Sequence, residues 1–143
     1  MLRIELAMSL FAGVSGGLVG LLWSRLVSIP WLARLDGTNS TAWRPETLTS
    51  VVGSASLHAA GGAALGFLFW LGWGLISLVN APWYVAGLLF GLLVWAGSAV
   101  PLLGGLALRA KWFRSVASVL ALEWLATGLA IGLLCALAWH RYA

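Results

Sequence analysis

The chain has 143 residues, of which 62% are hydrophobic and 8% are charged, and its formal net charge is +4. A soluble domain carries about a quarter charged residues, so this composition excludes a soluble globular protein. The basic excess does not indicate a nucleic-acid-binding protein, because the Lys and Arg residues lie between and beside apolar segments instead of on one polar face.

Four apolar stretches are long enough to cross a bilayer as helices, which requires roughly 20 residues each. In chain order they cover about residues 4–22, 54–78, 83–108 and 116–139. Apolar residues run continuously in each stretch, without the alternation of a β-barrel strand. The sequence therefore predicts an all-α, polytopic membrane protein, a four-transmembrane-helix bundle that forms a single domain over residues 1–143.

The first span begins with Arg3 and an apolar run, as a cleavable signal peptide does. We expect this span to be retained, because no clear small-x-small exit precedes Arg25.

The connection over residues 23–50 is the one sizeable segment outside the predicted spans. Ser28–Leu35 is predicted to form a short interfacial helix with Pro30 near its start. Asp36-Gly37 predicts a turn, and Asn39-Ser-Thr41 formally matches a glycosylation sequon.

Basic residues gather in two of the three connections and predict the orientation of the protein. The positive-inside rule places the first and third connections in the cytoplasm and both termini on the opposite side. The same residues offer a surface for anionic lipid headgroups or a partner protein. They are Arg25, Arg34 and Arg44 in the first connection and Arg109, Lys111 and Arg114 in the third.

Glycine pairs four residues apart occur in every span and predict close helix packing. We expect this packing within one chain, with self-association as the alternative. A shift of 66 residues also superposes Gly62 on Gly128, Gly66 on Gly132 and Trp73 on Trp139, which suggests a two-helix repeat. The pairs are Gly13/Gly17, Gly16/Gly20, Gly62/Gly66, Gly87/Gly91 and Gly128/Gly132.

Tryptophan is abundant, with ten residues. Seven fall near predicted span ends, as expected for interfacial belts. The deeper Trp70, Trp95 and Trp124 are expected to pack within the bundle.

His58 and Glu123 are the ionisable residues inside otherwise apolar spans. His58 lies seven residues beyond Val51 and Glu123 lies seven residues beyond Val116, so equal depth is expected, roughly 10 Å from the cytoplasmic end of each helix. Pro101 lies at a matching depth and leaves the Gly97 carbonyl without its helical donor. The spacing predicts a polar layer that comprises Ser15, His58, the Gly97 carbonyl, Ser98, Pro101 and Glu123.

Three interpretations of this layer remain open. In the first, Glu123 is protonated or paired with His58 and locks the bundle register. In the second, Glu123 and His58 form a proton-responsive site in a transporter, channel or pH sensor. In the third, His58 binds haem or a metal. The third is disfavoured because His140, the other histidine, lies near the opposite interface. The chain has no HExxH, P-loop or CxxC motif and is not expected to be an enzyme.

The segments Leu57-His-Ala-Ala-Gly-Gly-Ala-Ala-Leu-Gly66 and Gly87–Gly104 resemble small, functionally uncharacterised bacterial inner-membrane proteins with four predicted helices. The matching positions are His58, Gly62, Gly66, Gly87, Gly91, Trp95 and Pro101. The resemblance covers about half of the chain and implies an inner (plasma) membrane location. It does not include Glu123 and implies no activity.

The expected role is that of a structural or accessory subunit that packs with the bilayer, other membrane proteins or itself, without a cofactor or metal. The first alternative is a small proton-linked transporter, channel or pH sensor that uses Glu123 and His58. The second is a haem-binding or other cofactor-binding membrane subunit.

Overall fold

The computed structural model describes residues 2–35, 47–76, 80–109 and 114–142. Within these ranges the chain is 97% helical and contains no strand. A π turn, Ser24–Ser28, joins the first two helices, and a second, Trp95–Ala99, joins the fourth and fifth. The helices are α1 (Leu2–Trp23), α2 (Ile29–Leu35), α3 (Leu48–Ile76), α4 (Trp83–Val94), α5 (Val100–Arg109) and α6 (Arg114–Tyr142).

Four continuous helical segments in the described part of the chain are long and apolar enough to span a membrane. This confirms the predicted all-helical fold with four helices of sufficient length and apolarity to span a membrane. The segments are Arg3–Arg34, Leu48–Trp73, Trp83–Arg109 and Arg114–Tyr142.

The first span is longer than the sequence predicted. The predicted interfacial helix is not separate, because the chain continues helically from α1 into α2. The Ile29 N–H donates to the Ser24 carbonyl across the first π turn. Pro30, which has no backbone N–H to donate, follows directly in the first turn of α2. At 1.5 Å per residue, 32 residues extend about 48 Å, beyond the roughly 30 Å of hydrocarbon.

The helices pack side by side in an arc. α1 lies between α3 and α6, α6 lies between α1 and α4, and α3 touches α4 only slightly. Each neighbouring pair is antiparallel, since contact positions rise along one helix and fall along the other. The connection after α2 and the connection after α5 therefore lie at the same end of the molecule, with Arg34, Arg109 and Arg114. Arg44, Lys111 and the Asp36–Thr41 predictions fall outside the described residues.

Glycine pairs make these close approaches. A Cβ on Gly13 would overlap the Gly62 carbonyl, and one on Gly17 would overlap the carbonyl of His58. The same holds for Gly87 against Gly132 and Gly91 against Gly128, where α4 meets α6. All five predicted pairs thus pack within one chain, with Gly16 and Gly20 against α6 at Ile131 and Thr127.

The densest part of the core lies at the end of the molecule that carries the termini. Phe69, Ile131 and Cys135 are fully buried there. The Trp139 indole N–H donates to the Ser9 hydroxyl at 2.8 Å, and Trp139 stacks on Trp73 with ring centroids 5.0 Å apart. The two tryptophans that the 66-residue shift equates are therefore in direct contact.

The opposite end of α3 is fixed by a local cap. The Ser50 backbone N–H donates to the Thr47 hydroxyl at 3.3 Å, and the Thr47 N–H donates to the Ser50 hydroxyl at 3.0 Å. This reciprocal pattern satisfies backbone donors that the first helical turn leaves unpaired, and it explains why α3 begins at Leu48.

A buried His–Glu pair beside a cavity

His58 on α3 and Glu123 on α6 face each other where these two parallel helices meet. The His58 Nε2 atom lies 3.6 Å from Glu123 Oε1, and the side chains are 19% and 12% exposed. This distance is within ion-pair range, but it is longer than a direct N–H···O hydrogen bond, which spans about 2.7–3.2 Å.

The orientation of the imidazole is set by its own helix. His58 Nδ1 lies 2.9 Å from the Ser54 carbonyl oxygen. A carbonyl only accepts, so Nδ1 carries the proton and donates. The other ring nitrogen, Nε2, is left as an acceptor in the neutral tautomer, and it is the one that lies toward Glu123. An imidazole is the side chain whose charge changes most readily near neutral pH.

Helix α1 holds the two partners together although it supplies neither of them. Gly17 contacts the His58 carbonyl, and Gly20 contacts the Thr127 side chain one turn from Glu123. The Thr127 hydroxyl donates to the Glu123 carbonyl at 2.8 Å. Because neither glycine has a side chain, α1 approaches both helices closely and brings α3 and α6 within ion-pair distance at the pair.

Both helices that flank α6 depart from α-helical geometry at the level of Glu123. Gly20 opposes Thr127 and Gly91 opposes Gly128, so one turn further along these antiparallel helices residues 24 and 95 oppose the Glu123 level. Those residues begin the two π turns, and a proline follows each π turn, at Pro30 and Pro101. Proline removes the N–H that an α-helix would use there, and wider turns of this kind frequently occur at functional sites.

The polar side chains of the two π turns differ in whether they have a hydrogen-bond partner. The Trp95 indole N–H donates to the Ala121 carbonyl at 2.8 Å, which ties the second π turn to α6. The Ser28 hydroxyl, at the end of the first π turn, is the one buried side-chain polar atom in the described residues without a hydrogen-bond partner.

The remaining members of the predicted polar layer do not join the pair. The Ser15 hydroxyl donates to the Phe11 carbonyl at 2.9 Å, and the Ser98 hydroxyl donates to the Val94 carbonyl at 2.5 Å, each within its own helix. Pro101 lies in the first turn of α5, directly after the second π turn. Of the predicted layer, the structure brings into contact His58 and Glu123.

A cavity of about 490 Å³ lies beside the pair, and His58 forms part of its wall. Its lining comes from α3 and α6 alone, so it opens on the side where the arc of helices is incomplete. Ser50, Ser54 and His58 follow one another at intervals of one turn along its α3 wall, and Leu65 and Ile131 line the other end. Polar side chains are therefore more frequent at one end of the cavity, although Leu57 also lies there and Thr127 lies toward the other end.

A second cavity of about 230 Å³ lies between α3, α6 and the second π turn and includes Ser98 and Trp95 in its wall. Trp124 lines both cavities, as do Gly61 and Leu65. The indole of Trp124 is 48% exposed. The two cavities thus form one cleft along α3, with Trp124 at the boundary between them.

Two sequence features have no counterpart in this site. Gly13-Val-Ser15-Gly-Gly17 formally matches the G-x-S-x-G pattern of serine hydrolases, but Ser15 lies within α1 and not on a strand-to-helix turn. His140 stacks on Trp83 at 5.8 Å near the end that carries the termini, so the two histidines do not share a site. No group of three or more potential metal ligands occurs within the described ranges.

Sequence reasoning missed four residues that line the cavity. Ser50 and Ser54 precede His58 at intervals of four residues, a helical spacing that places all three on one face. Trp124 and Thr127 follow Glu123 closely on α6. The serine spacing was a usable signal, whereas the position of Trp124 depends on how α3 and α6 are oriented toward each other.

Comparison of the chain with protein-family models, with curated proteins and with solved structures found no match.

Proposed function

We propose that the protein is a small proton-linked membrane transporter or channel in which His58 and Glu123 form the proton-exchanging site. The observation that carries this proposal is the position of the pair: Nε2 of His58 lies 3.6 Å from Glu123 Oε1, and His58 lines a cavity of about 490 Å³. Ionisable groups within membrane spans often mark ion or proton pathways, because they are costly to keep there.

The geometry favours this function over a pair that only locks the register of the bundle. A purely structural buried pair is stabilised by short hydrogen bonds and by enclosure, since either charge alone is costly in a low-dielectric environment. Here the two side chains are separated by more than a hydrogen-bond distance. His58 also lines the cavity, so its side chain borders open space.

Proton flux into proteoliposomes tests the proposal. The native protein should carry protons along a pH gradient, and Glu123→Gln should reduce the flux at least tenfold while the purified variant keeps its helical content. His58→Ala should have a comparable effect. Glu5→Gln is the matched control, because Glu5 is a carboxylate in the first turn of α1, far along the chain from the pair.

Absence of flux in the native protein under any imposed pH gradient or membrane potential would reject the proposal. Equal flux in native protein and Glu123→Gln would reject the assignment of the site.

A second candidate function, association with another membrane component as an accessory subunit, is favoured by the packing of α3. Only 11% of the most apolar window of α3 is buried, against 44% for α6. Leu57 and Leu71 are 75% and 56% exposed on its surface. For an accessory role, co-purification of a membrane partner should survive Glu123→Gln and be lost in Leu57→Glu.

For orientation, we propose that the end with Arg34, Arg109 and Arg114 faces the cytoplasm of a bacterial cell. Basic residues close to span ends favour that side. In this arrangement the polar end of the cavity, at Ser50, is the end nearer the cytoplasm. This orientation agrees with the inner-membrane location that the resemblance to small bacterial membrane proteins implies.

A further inference from the structure

The cavity between α3 and α6 has an uneven chemistry that restricts what it can bind. Ser50 and His58 are eight residues apart on one helix, so the polar part is about 12 Å long. The part from His58 to Leu65 extends about 10 Å further and is mostly apolar, with Thr127 as its polar side chain. This division suits an amphiphilic molecule with one polar group and an apolar body.

The route of entry follows from the lining. α1 and α4 contribute no residue to the wall of the 490 Å³ cavity, so nothing in the described residues closes it on the side away from α1. That side lies at the depth of the membrane-spanning segments. A molecule dissolved in the bilayer therefore reaches the cavity laterally, without first crossing an aqueous vestibule.

Charge decides which amphiphile fits. Glu123 is the carboxylate of this site, and its ion partner, His58, carries a positive charge only when Nε2 is protonated. When His58 is neutral, the pair has a net charge of −1 in a low-dielectric environment, where an unpaired charge is costly. A cation in the adjacent cavity would offset that cost, whereas an anion would increase it.

Trp124 adds a second feature that favours a cation. Its indole lines the cavity next in sequence to Glu123 and is partly exposed. The face of an indole attracts cations, and the attraction is larger where the cation is desolvated. The site thus has a carboxylate behind His58, an aromatic face beside it and an apolar chamber beyond it.

Resting on the proton-linked function proposed above, we infer that the substrate class of this site is a lipophilic organic cation, which exchanges for the proton on His58. In the empty site the imidazolium and the carboxylate sum to zero charge. When the cation enters, Nε2 releases one proton to water, and the cation, the neutral imidazole and the carboxylate again sum to zero. One cation therefore binds per proton released.

Of the elements that pack on α6 near Glu123, α3 and the first π turn carry basic residues. The charged residues of α1, Arg3 and Glu5, lie in its first turns, toward the other end of the molecule. α3 contributes His58. The first π turn, which packs on α6, contains Arg25, which takes part in an interaction of its own. α4 and the second π turn contain no acidic or basic residue, and the hydroxyl of Tyr84 lies in the first turn of α4, toward the other end of the molecule.

Tetraphenylphosphonium binding to the purified native protein in detergent tests the inference by equilibrium dialysis. We expect saturable binding that weakens at least tenfold in Glu123→Gln and several-fold in Trp124→Ala, with Glu5→Gln unchanged. Tetraphenylborate, which has the same shape and the opposite charge, should show no binding that depends on Glu123. Affinity unchanged in Glu123→Gln, or saturable binding of both ions with equal strength, would overturn the inference.

Native protein alone provides a test that does not depend on the folding of a variant. Lowering the pH should weaken tetraphenylphosphonium binding, because protons compete for Nε2 of His58. Addition of the cation to a weakly buffered sample should release about one proton per cation bound. Binding that is independent of pH and releases no proton would contradict the exchange.

The two proposals fail differently. Cation binding that depends on Glu123, without proton flux in proteoliposomes, would leave the binding site in place and reject transport. Proton flux that depends on Glu123, without saturable cation binding, would leave the proton-linked function in place and reject the substrate class.

Discussion

Helices α3 and α6 have the same length, 29 residues each, yet the tertiary structure uses them in opposite ways. α6 contacts both α1 and α4 and is buried over 44% of its most apolar window, whereas α3 leans mainly on α1 and is buried over 11%. The mean hydropathy of the window is 2.0 in α6 and 1.4 in α3, so the two helices differ much less in hydropathy than in buried fraction. Hydropathy therefore identifies a span but does not say whether it is central or peripheral.

The functional consequence of this difference is the cleft. α6 brings a carboxylate into the interior, and α3 brings an imidazole to its edge. Because α3 is packed on one side only, the region beside the pair stays open. A fully packed α3 would enclose His58 and eliminate the cavity that the proposed binding requires.

The largest expected effect on stability is that of a glycine substitution on α6, compared with one on α3. In Gly132→Ala the new Cβ would overlap the Gly87 carbonyl, so α4 and α6 must separate, and we expect a loss of about 3 kcal/mol in the free energy of unfolding. Gly72→Ala on α3 has open space around its Cβ and should be neutral or stabilising by up to about 1 kcal/mol. Titration with SDS, followed by helicity, would measure the free energy of unfolding of both variants. Equal losses of stability would contradict the assignment of α6 as a central helix and α3 as a peripheral one.

A tryptophan pair gives the next largest contrast. Trp139→Phe removes the indole N–H that bonds to the fully buried hydroxyl of Ser9, and an unpaired buried polar group costs about 2 kcal/mol. Trp124→Phe, at a partly exposed position, should change stability by less than about 0.5 kcal/mol. A larger loss for Trp124→Phe in the same titration would mean that the cleft is a packed interface.

The smallest effect tests how much the start of the peripheral helix α3 depends on its local cap. Thr47→Ala removes the hydroxyl that accepts the Ser50 N–H, and loss of such a cap costs about 1 kcal/mol. Thr49→Ala, two residues later on the exposed first turn, serves as the control and should have little effect. Hydrogen exchange of the first α3 amides should increase in Thr47→Ala alone; unchanged exchange would show that the cap is dispensable.

Part of the site could be predicted from the sequence. Equal depth for His58 and Glu123 follows from the sequence because they lie seven residues beyond Val51 and Val116, and the rise per residue converts that count into depth. The same reasoning places Ser15 and Ser98 at this depth, but it does not predict in which direction around the helix axis each side chain points. In the structure each hydroxyl bonds to its own helix, since a serine in an apolar helix can satisfy itself four residues back.

The sequence by itself determined that the chain is helical, that four segments are long and apolar enough to span a membrane, and that glycine pairs would permit close packing. These properties follow from local composition and periodicity, which do not depend on the neighbours of a helix. Only the tertiary structure decided that α1 lies between α3 and α6, that both helices beside α6 change to π turns at the Glu123 level, and that a cavity borders His58. All of these depend on the order and rotation of the helices, and apolar helices with smooth glycine faces can pack in several such arrangements with similar local energies.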